Sequence, residues 1–244
     1  MVEGRVRLDQ ALVAQGLVSS RQRAQAMVRA GLVRVAGEVA DRPDQLVSPT
    51  VGIDLAGTKA FVSRGGEKLT AALDAFDFDP AGRVCLDVGA STGGFTDALL
   101  RRGASVVVAV DVGYGQLDFR LRRDPRVIVL ERVNIRHLDR LPVPADLAVI
   151  DVSFISLRLV LPRVSELLSP PGDVIALVKP QFEVGKGAVG KGGVVRDPNQ
   201  HREVLRELRK FADDTGYEVA GETPSPILGA KGNREFLLHL RRHG

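Results

Sequence analysis

Chemistry in this sequence is suggested first by an acid, a run of glycines and a second acid at set intervals. The stretch CLDVGASTGGFTDALL, residues 85–100, runs apolar to Asp87, breaks at Gly89 and passes Gly93 and Gly94 before a helical pattern begins. Asp111 follows about twenty residues on, where an acid can accept from a ribose hydroxyl pair. An acid, a glycine turn and a helix start describe a nucleoside-cofactor site. Three ligands compete for it. A dinucleotide turn wants G-x-G-x-x-G, whereas this turn reads Gly89-Ala-Ser-Thr-Gly93-Gly94, the wrong spacing for a close pyrophosphate approach. A phosphate loop wants G-x-x-x-x-G-K-[ST]. GKGAVGK, residues 185–191, supplies seven of those positions, but Gly192 replaces the hydroxyl that holds magnesium and no helix follows directly. S-adenosylmethionine carries no phosphate, and its turn usually reads D-x-G-x-x-x-G-G, which DVGASTGG fits. A tight strand–helix turn without a ligand is the plain alternative.

Lysine usage is the second chemical signal. The chain has 34 Lys and Arg, of which only seven are lysine. Arginine keeps its proton in a protein, whereas lysine can release it. Lys68, Lys179, Lys186 and Lys191 fall in segments expected near the site. Ordinary surface charge is the alternative, and VGKGAVGKGG, residues 184–193, reads either as a mobile loop or as a lid over substrate.

The bulk properties bound the function. With 244 residues and 44% hydrophobic content, the chain can form one large domain, or a medium domain plus a small one. The single Cys85 sits in an apolar run, so neither a disulfide framework nor a zinc cluster is expected, and a reducing, cytoplasmic setting fits. His137 and His201 have no partners at ligand spacing, so no metal site is expected. No signal peptide opens the chain, and no apolar run reaches the roughly 18 residues of a membrane span. The net charge is +4. Residues 1–35 hold Arg5, Arg7, Arg21, Arg23, Arg29 and Arg34 against only Glu3 and Asp9, which points to a phosphate-bearing partner. A solvated helix face would give the same composition.

The elements that must carry these groups fall into two sets. In the first sixty residues, Leu8, Leu12 and Val13 share a helical face that Gly16 ends. Ser19 or Ser20 can cap a second helix carrying Ala24, Met27 and Val28, and Gly31 stops it. VRVAGEVA then alternates around Ala36-Gly37 like a tight hairpin. From residue 83, VCLDV, SVVVAVDV, RVIVL, LAVID and VIALVKP alternate with helical stretches. That pattern predicts a mostly parallel sheet with helices on both faces, preceded by a small α+β domain. Ligands in such sheets bind at the carboxyl ends of the strands. RDPNQHREVLRELRKFADDTG reads as a structural helix: Asp197 caps, Pro198 leads, and Val204, Leu205, Leu208 and Phe211 form the buried stripe.

Residues 4–55 resemble the alpha-L RNA-binding motif, through R-LD-AL-GL-SR-A-G-V-V-G. That resemblance implies that Arg5, Arg21, Arg23 and Arg34 face RNA phosphate. No aromatic precedes Phe61, so backbone and shape contacts to folded RNA are expected rather than base stacking. DVGASTGGFTDALL, VDVGYGQL, DVSFISL and VKPQFEVGKG together resemble the TlyA family over nearly the whole chain. Its members are FtsJ-type ribosomal RNA 2′-O-methyltransferases, first described as hemolysins, that methylate cytidine ribose using S-adenosylmethionine.

The resemblance implies a Rossmann-like class I methyltransferase domain at 63–244, an RNA-binding domain at 1–58 and a linker at 59–62. Phe61 stands where the family's linker often carries tryptophan. The cofactor would be held by Asp87, Gly89, Ala90, Ser91, Thr92, Gly93, Gly94 and Phe95, by Asp111 and Val112, and by Asn134, Asp151 and Phe154, with Asn134 at the adenine and Phe154 covering it. Lys68, Asp151, Lys179 and Glu235 would form the catalytic set. Lys179 would take the 2′-hydroxyl proton, provided burial or a nearby cation keeps it neutral. The partner would be ribosomal RNA or a ribosomal subunit, with no membrane. Two other classes compete. RNA binding without catalysis conflicts with the intact turn and catalytic set, and a pore-forming hemolysin would need a membrane-active helix that the sequence lacks.

Overall fold

The computed structural model describes residues 4–18, 20–55, 61–185, 187, 189–190, 192–229 and 231–242. The chain divides into two compact units, residues 1–59 and 60–244.

The first unit contains β1 (Val6–Arg7), α1 (Leu8–Ala14), α2 (Arg21–Arg29), β2 (Val33–Val35), β3 (Glu38–Val39), β4 (Leu46–Val47) and β5 (Ile53–Leu55). Gly16 ends the first helical turn with φ +70°. Ser20 caps α2, its side chain accepting from the Arg23 amide at 3.2 Å. Ser19, the other cap candidate, lies outside the described residues. Ala36 and Gly37 both have positive φ, as the expected two-residue hairpin turn between β2 and β3 requires. Leu8, Leu12, Ala24, Val28 and Val33 are fully buried in a small core of this unit's own.

The second unit runs α3 (Gly65–Ala75), β6 (Val84–Val88), α4 (Gly94–Arg101), β7 (Val106–Asp111), α5 (Phe119–Arg122), β8 (Val127–Glu131), β9 (Ala145–Ile150), α6 (Leu161–Leu167), β10 (Leu168–Val178), α7 (Pro180–Glu183), α8 (Pro198–Asp214), β11 (Glu218–Pro224) and β12 (Phe236–Arg242). Its seven-stranded sheet has the order β11-β12-β10-β9-β6-β7-β8. The five strands from β10 to β8 are parallel, while β12 and β11 run antiparallel. Alternation along the strands splits the core in two. Cys85, Val107, Leu147, Val149 and Leu177 pack with Leu69, Leu73 and Leu99 of α3 and α4. Leu86, Val108, Ala148, Ile150 and Val174 pack with Leu161 and Val164 of α6 and with Leu205 and Leu208 of α8. Asp197 caps α8 through the Asn199 amide at 2.8 Å, and Pro198 follows as its first residue. Phe211 is only partly buried, and His201 and Ala212 complete the stripe instead.

Strand order fixes where a ligand can bind. The chain steps from β6 to β7 to β8 and then returns to place β9 on the other side of β6. The strand ends diverge at that reversal and open a crevice.

Candidate functional site

The glycine turn and the residue after β9 meet at the reversal. The Asp151 amide donates to Val88 O at 2.9 Å. Gly89 has φ +84°, and a Cβ there would lie 2.6 Å from Asp151 O, so only glycine fits. A side chain on Gly94 would likewise strike Ser63 Oγ. Gly93 is left-handed (φ +93°) and opens α4. The result is a cavity of about 170 Å3 lined by Gly89, Ala90, Ser91, Thr92, Gly94 and Phe95 of the turn, together with Ser63, Gly65, Asp151, Ser153 and Lys179.

Two acids brace this turn. Asp87 is fully buried and accepts from Thr96 Oγ1 at 2.6 Å, while its other oxygen has no partner among the described residues. Burial pushes its carboxyl up to about 7, with the nearby Asp151 and Asp111 carboxylates adding to the shift and the Thr96 bond opposing it. Asp111 ends β7 and accepts from the Ser91 amide at 2.8 Å and the Gly113 amide at 2.7 Å. It therefore holds the turn from outside and does not itself line the cavity.

A second, larger cavity of about 600 Å3 adjoins the first. All four expected catalytic residues line it. Their convergence follows from the sheet. Asp151 and Lys179 follow parallel neighbours β9 and β10, so they emerge at the same edge. Because β12 is antiparallel and Phe236 pairs with Val178, its beginning lies at that edge too and delivers Glu235. Lys68 arrives from α3. Lys68 Nζ donates to Glu235 Oε2 at 2.6 Å, with only 7% and 3% of the two residues exposed. Lys179 Nζ lies 2.6 Å from Asp151 Oδ1 and donates to Ser153 Oγ at 2.8 Å.

Two cofactor expectations take different places. Asn134 lines neither cavity; its Oδ1 accepts from the Arg136 amide at 3.1 Å and caps a short 3-10 turn at Ile135–His137. Phe154 lines only the larger cavity, 89% exposed, with its ring 5.1 Å from that of Phe182. Its φ of +65° is strained for a bulky side chain. Val112 is exposed beside Asp111 and lines neither cavity. Sequence reading missed Ser63, Gly65, Ser153, Arg64, Gln181, Phe182, Lys231 and Asn233. The glycine pair before Lys68 was the one available hint. Glu183 was also missed. Burial raises its carboxyl, which accepts from Ser156 Oγ (2.6 Å) and the Leu157 amide (2.8 Å) and so ties the segment after β9 to α7. Lys186, Ala188 and Lys191 of the suggested lid at 184–193 lie outside the described residues.

In the first unit, Arg5, Arg21, Arg23 and Arg34 are exposed. Arg21 is drawn to Asp9, 3.2 Å from Oδ2, and Arg34 donates to Gly37 O. The buried Asp9 carboxylate, bonded by Arg7, Gln25 and Arg21, is held well below the usual range. Among the described residues, no helix is long and apolar enough to cross a membrane, and no His/Cys/Asp/Glu group could hold a metal ion.

Family models match both units: an FtsJ-like methyltransferase over residues 61–242 and an S4 domain over residues 6–52. The 16S/23S rRNA (cytidine-2′-O)-methyltransferase TlyA of Mycobacterium tuberculosis is 49% identical over 97% of this chain and 90% of its own length. The chain is a member of the TlyA family of FtsJ-like methyltransferases. Another relative of this TlyA-family chain, Hemolysin A of Brachyspira hyodysenteriae, is 39% identical over 96% of the chain and 99% of its own length. A solved Streptococcus thermophilus structure, described as a candidate hemolysin, has a TM-score of 0.74 and 43% identity. It covers 99% of this chain and 90% of that one. The FtsJ-like match spans both cavities and all four converging ionisable residues.

Proposed function

We propose that this chain transfers a methyl group from S-adenosylmethionine to a ribose 2′-hydroxyl, that of cytidine, in ribosomal RNA. One observation carries the reading: Asp151 and Lys179 line both the glycine-turn cavity and the larger cleft. A methyl donor in the first and a ribose in the second would meet at those two side chains.

The turn suits the cofactor. Its glycines leave room that any Cβ would fill, and no phosphate-binding pattern accompanies them. Gly89, Ala90, Ser91, Thr92, Gly94 and Phe95 would hold the methionine part, Asp87 and Gly93 would shape the turn from behind, and Asp111 would accept from the ribose. S-adenosylmethionine would supply an electrophilic methyl group. Lys179, after giving its own proton to the adjacent Asp151 carboxylate or to solvent, accepts the 2′-hydroxyl proton at Nζ, and Asp151 orients that amine. Lys68 and Glu235 position the substrate ribose, and fixed alignment of the reacting atoms lowers the barrier by several kcal/mol, roughly. Phe154 and Phe182 offer an aromatic surface in the cleft for a nucleobase. The S4 unit, with exposed Arg5 and Arg23, supplies RNA affinity through phosphate contacts.

The test is methyl transfer from labelled S-adenosylmethionine to ribosomal RNA isolated from cells lacking the gene, with mass mapping of the product. A 2′-O-methylcytidine is the expected result. Absence of transfer to any rRNA or ribosomal subunit would overturn the reading.

A further inference from the structure

Beside the reaction cleft lies another hollow, of about 320 Å3, lined by Val194, Val195, Arg196, His201, Lys231 and Arg234 among others. Three of these are cations and none is acidic. Arg196, Lys231 and Arg234 are exposed, and among the described residues none has an acidic or hydrogen-bonding partner. Several exposed arginines of this unit are paired, Arg102 with Asp74, Arg120 with Asp118, Arg126 with Asp124, Arg206 with Glu203 and Arg209 with Glu222, whereas Arg64, Arg123, Arg132 and Arg140 have no acidic partner among the described residues but do not gather around one hollow as these three cations do. Three neighbouring cations left without acids leave positive charge available to a ligand.

The backbone that carries them is held firmly. Asn233 is 2% exposed; its Oδ1 accepts from the Val195 amide at 2.9 Å and its Nδ2 donates to Gly193 O at 2.9 Å. The buried His201 ring sits 3.0 Å from Val195 O and edge-on to Phe236, with centroids 5.6 Å apart. Asn233 is thereby tied to residues 193–195, and its carbonyl accepts from the Gly229 amide at 2.9 Å. The Asp197 carboxylate caps the Asn199 amide and is not part of the lining.

Lys231 lines both this hollow and the reaction cleft. We infer that Arg196, Lys231 and Arg234 form a phosphate subsite that grips the RNA strand next to the nucleotide being methylated. The inference rests on the RNA methyltransferase reading above. It assigns the strand's path: the ribose enters the cleft, and the adjoining phosphate passes Lys231 toward Arg196 and Arg234. Guanidinium and ammonium groups on a fixed frame recognise the backbone without reading sequence.

The test compares wild type with Lys231→Ala/Arg234→Ala, with Arg196→Ala added as a third change, and with Arg206→Ala on the exposed face of α8 as a control. RNA binding is measured across a salt series, alongside methyl-transfer kinetics and calorimetry with S-adenosylmethionine. The slope of log affinity against log salt should flatten by roughly one unit per cation removed, because each phosphate contact releases counterions. KM for RNA should rise by about tenfold or more, the scale of a 1.4 kcal/mol loss. Turnover at saturating RNA and cofactor affinity should stay near wild type, and Arg206→Ala should change nothing. Lys231→Arg should keep the wild-type slope, which a purely structural role would not require. An unchanged slope in the triple variant would overturn the inference while leaving the methyltransferase reading intact. So would a fall in turnover with unchanged KM. If wild type itself methylates no RNA, the parent reading fails and the inference falls with it.

Discussion

Lys179 Nζ stands 2.6 Å from Asp151 Oδ1, on the wall that the two cavities share. The pairing is a product of strand register: Ala176 pairs with Ile150 in parallel strands, so the side chains just beyond both strands come together. Lys179→Arg keeps the ion pair but removes the capacity to act as a base. Methyl transfer should fall by at least about a hundredfold, the usual scale for losing a general base. RNA binding, read by filter retention, should stay within a few fold. Near-normal turnover would show that another group takes the proton.

The Lys68–Glu235 pair is buried, so its members should support stability as well as chemistry. Removing one partner leaves a buried charge alone, which costs about 3–5 kcal/mol. Lys68→Met and Glu235→Gln should each lower the melting temperature markedly, and the double substitution should recover most of that loss. Activity should stay low in all three. Additive destabilisation in the double variant would show that the two charges do not depend on one another.

Asp111 spends two of about four acceptor positions on the Ser91 and Gly113 amides, leaving the others for ribose hydroxyls. Asp111→Ala should weaken S-adenosylmethionine binding by roughly one to two orders of magnitude, since hydrogen bonds to charged groups contribute about 1.5–3 kcal/mol. Calorimetry checks this directly. Unchanged affinity would mean that Asp111 only braces the turn.

Asp87 gives a pH dependence. Its carboxyl is pushed up to about 7 by burial, from an ordinary value of 3.8, so the folded protein holds a proton that the unfolded chain releases. Stability from this group is full below about pH 4 and is lost as pH rises toward 7. Asp87→Asn cannot ionise. The difference in unfolding free energy between the variant and wild type should therefore shift in the variant's favour from pH 5 to pH 8 in urea titrations. A flat difference would refute a protonated Asp87.

Much of this site was legible because local rules fix it. The glycine turn, the Asp111 position, the Ser20 and Asp197 caps and the alternating strands all follow from neighbours in sequence. The cap that Asn134 makes was not legible, because a polar side chain just past a strand serves a local cap as readily as a ligand. The side on which Phe154 lies was not legible either, because it is set by a positive φ that no residue pattern announces. The antiparallel insertion of β12 between β10 and β11 was hidden as well, since periodicity carries no strand order. Residues alone did not single out Asp151 or Glu235; the family resemblance named them, and strand order explains why they converge. Arg196, Lys231 and Arg234 went unnoticed because isolated surface charges make no pattern until folding gathers them.

The antiparallel placement of β12 also has a consequence for the order of synthesis. Lys68 and the glycine turn are made early, yet the carboxylate that neutralises Lys68 lies 167 residues further along the chain. Until that residue has been made, α3 carries its lysine without the acid that pairs with it, and the sheet has one strand fewer beside β10. A nascent chain halted before residue 229 should therefore expose this region to protease and transfer no methyl group, as pulse proteolysis of stalled chains would read. The order of synthesis thus predicts that activity waits on β12.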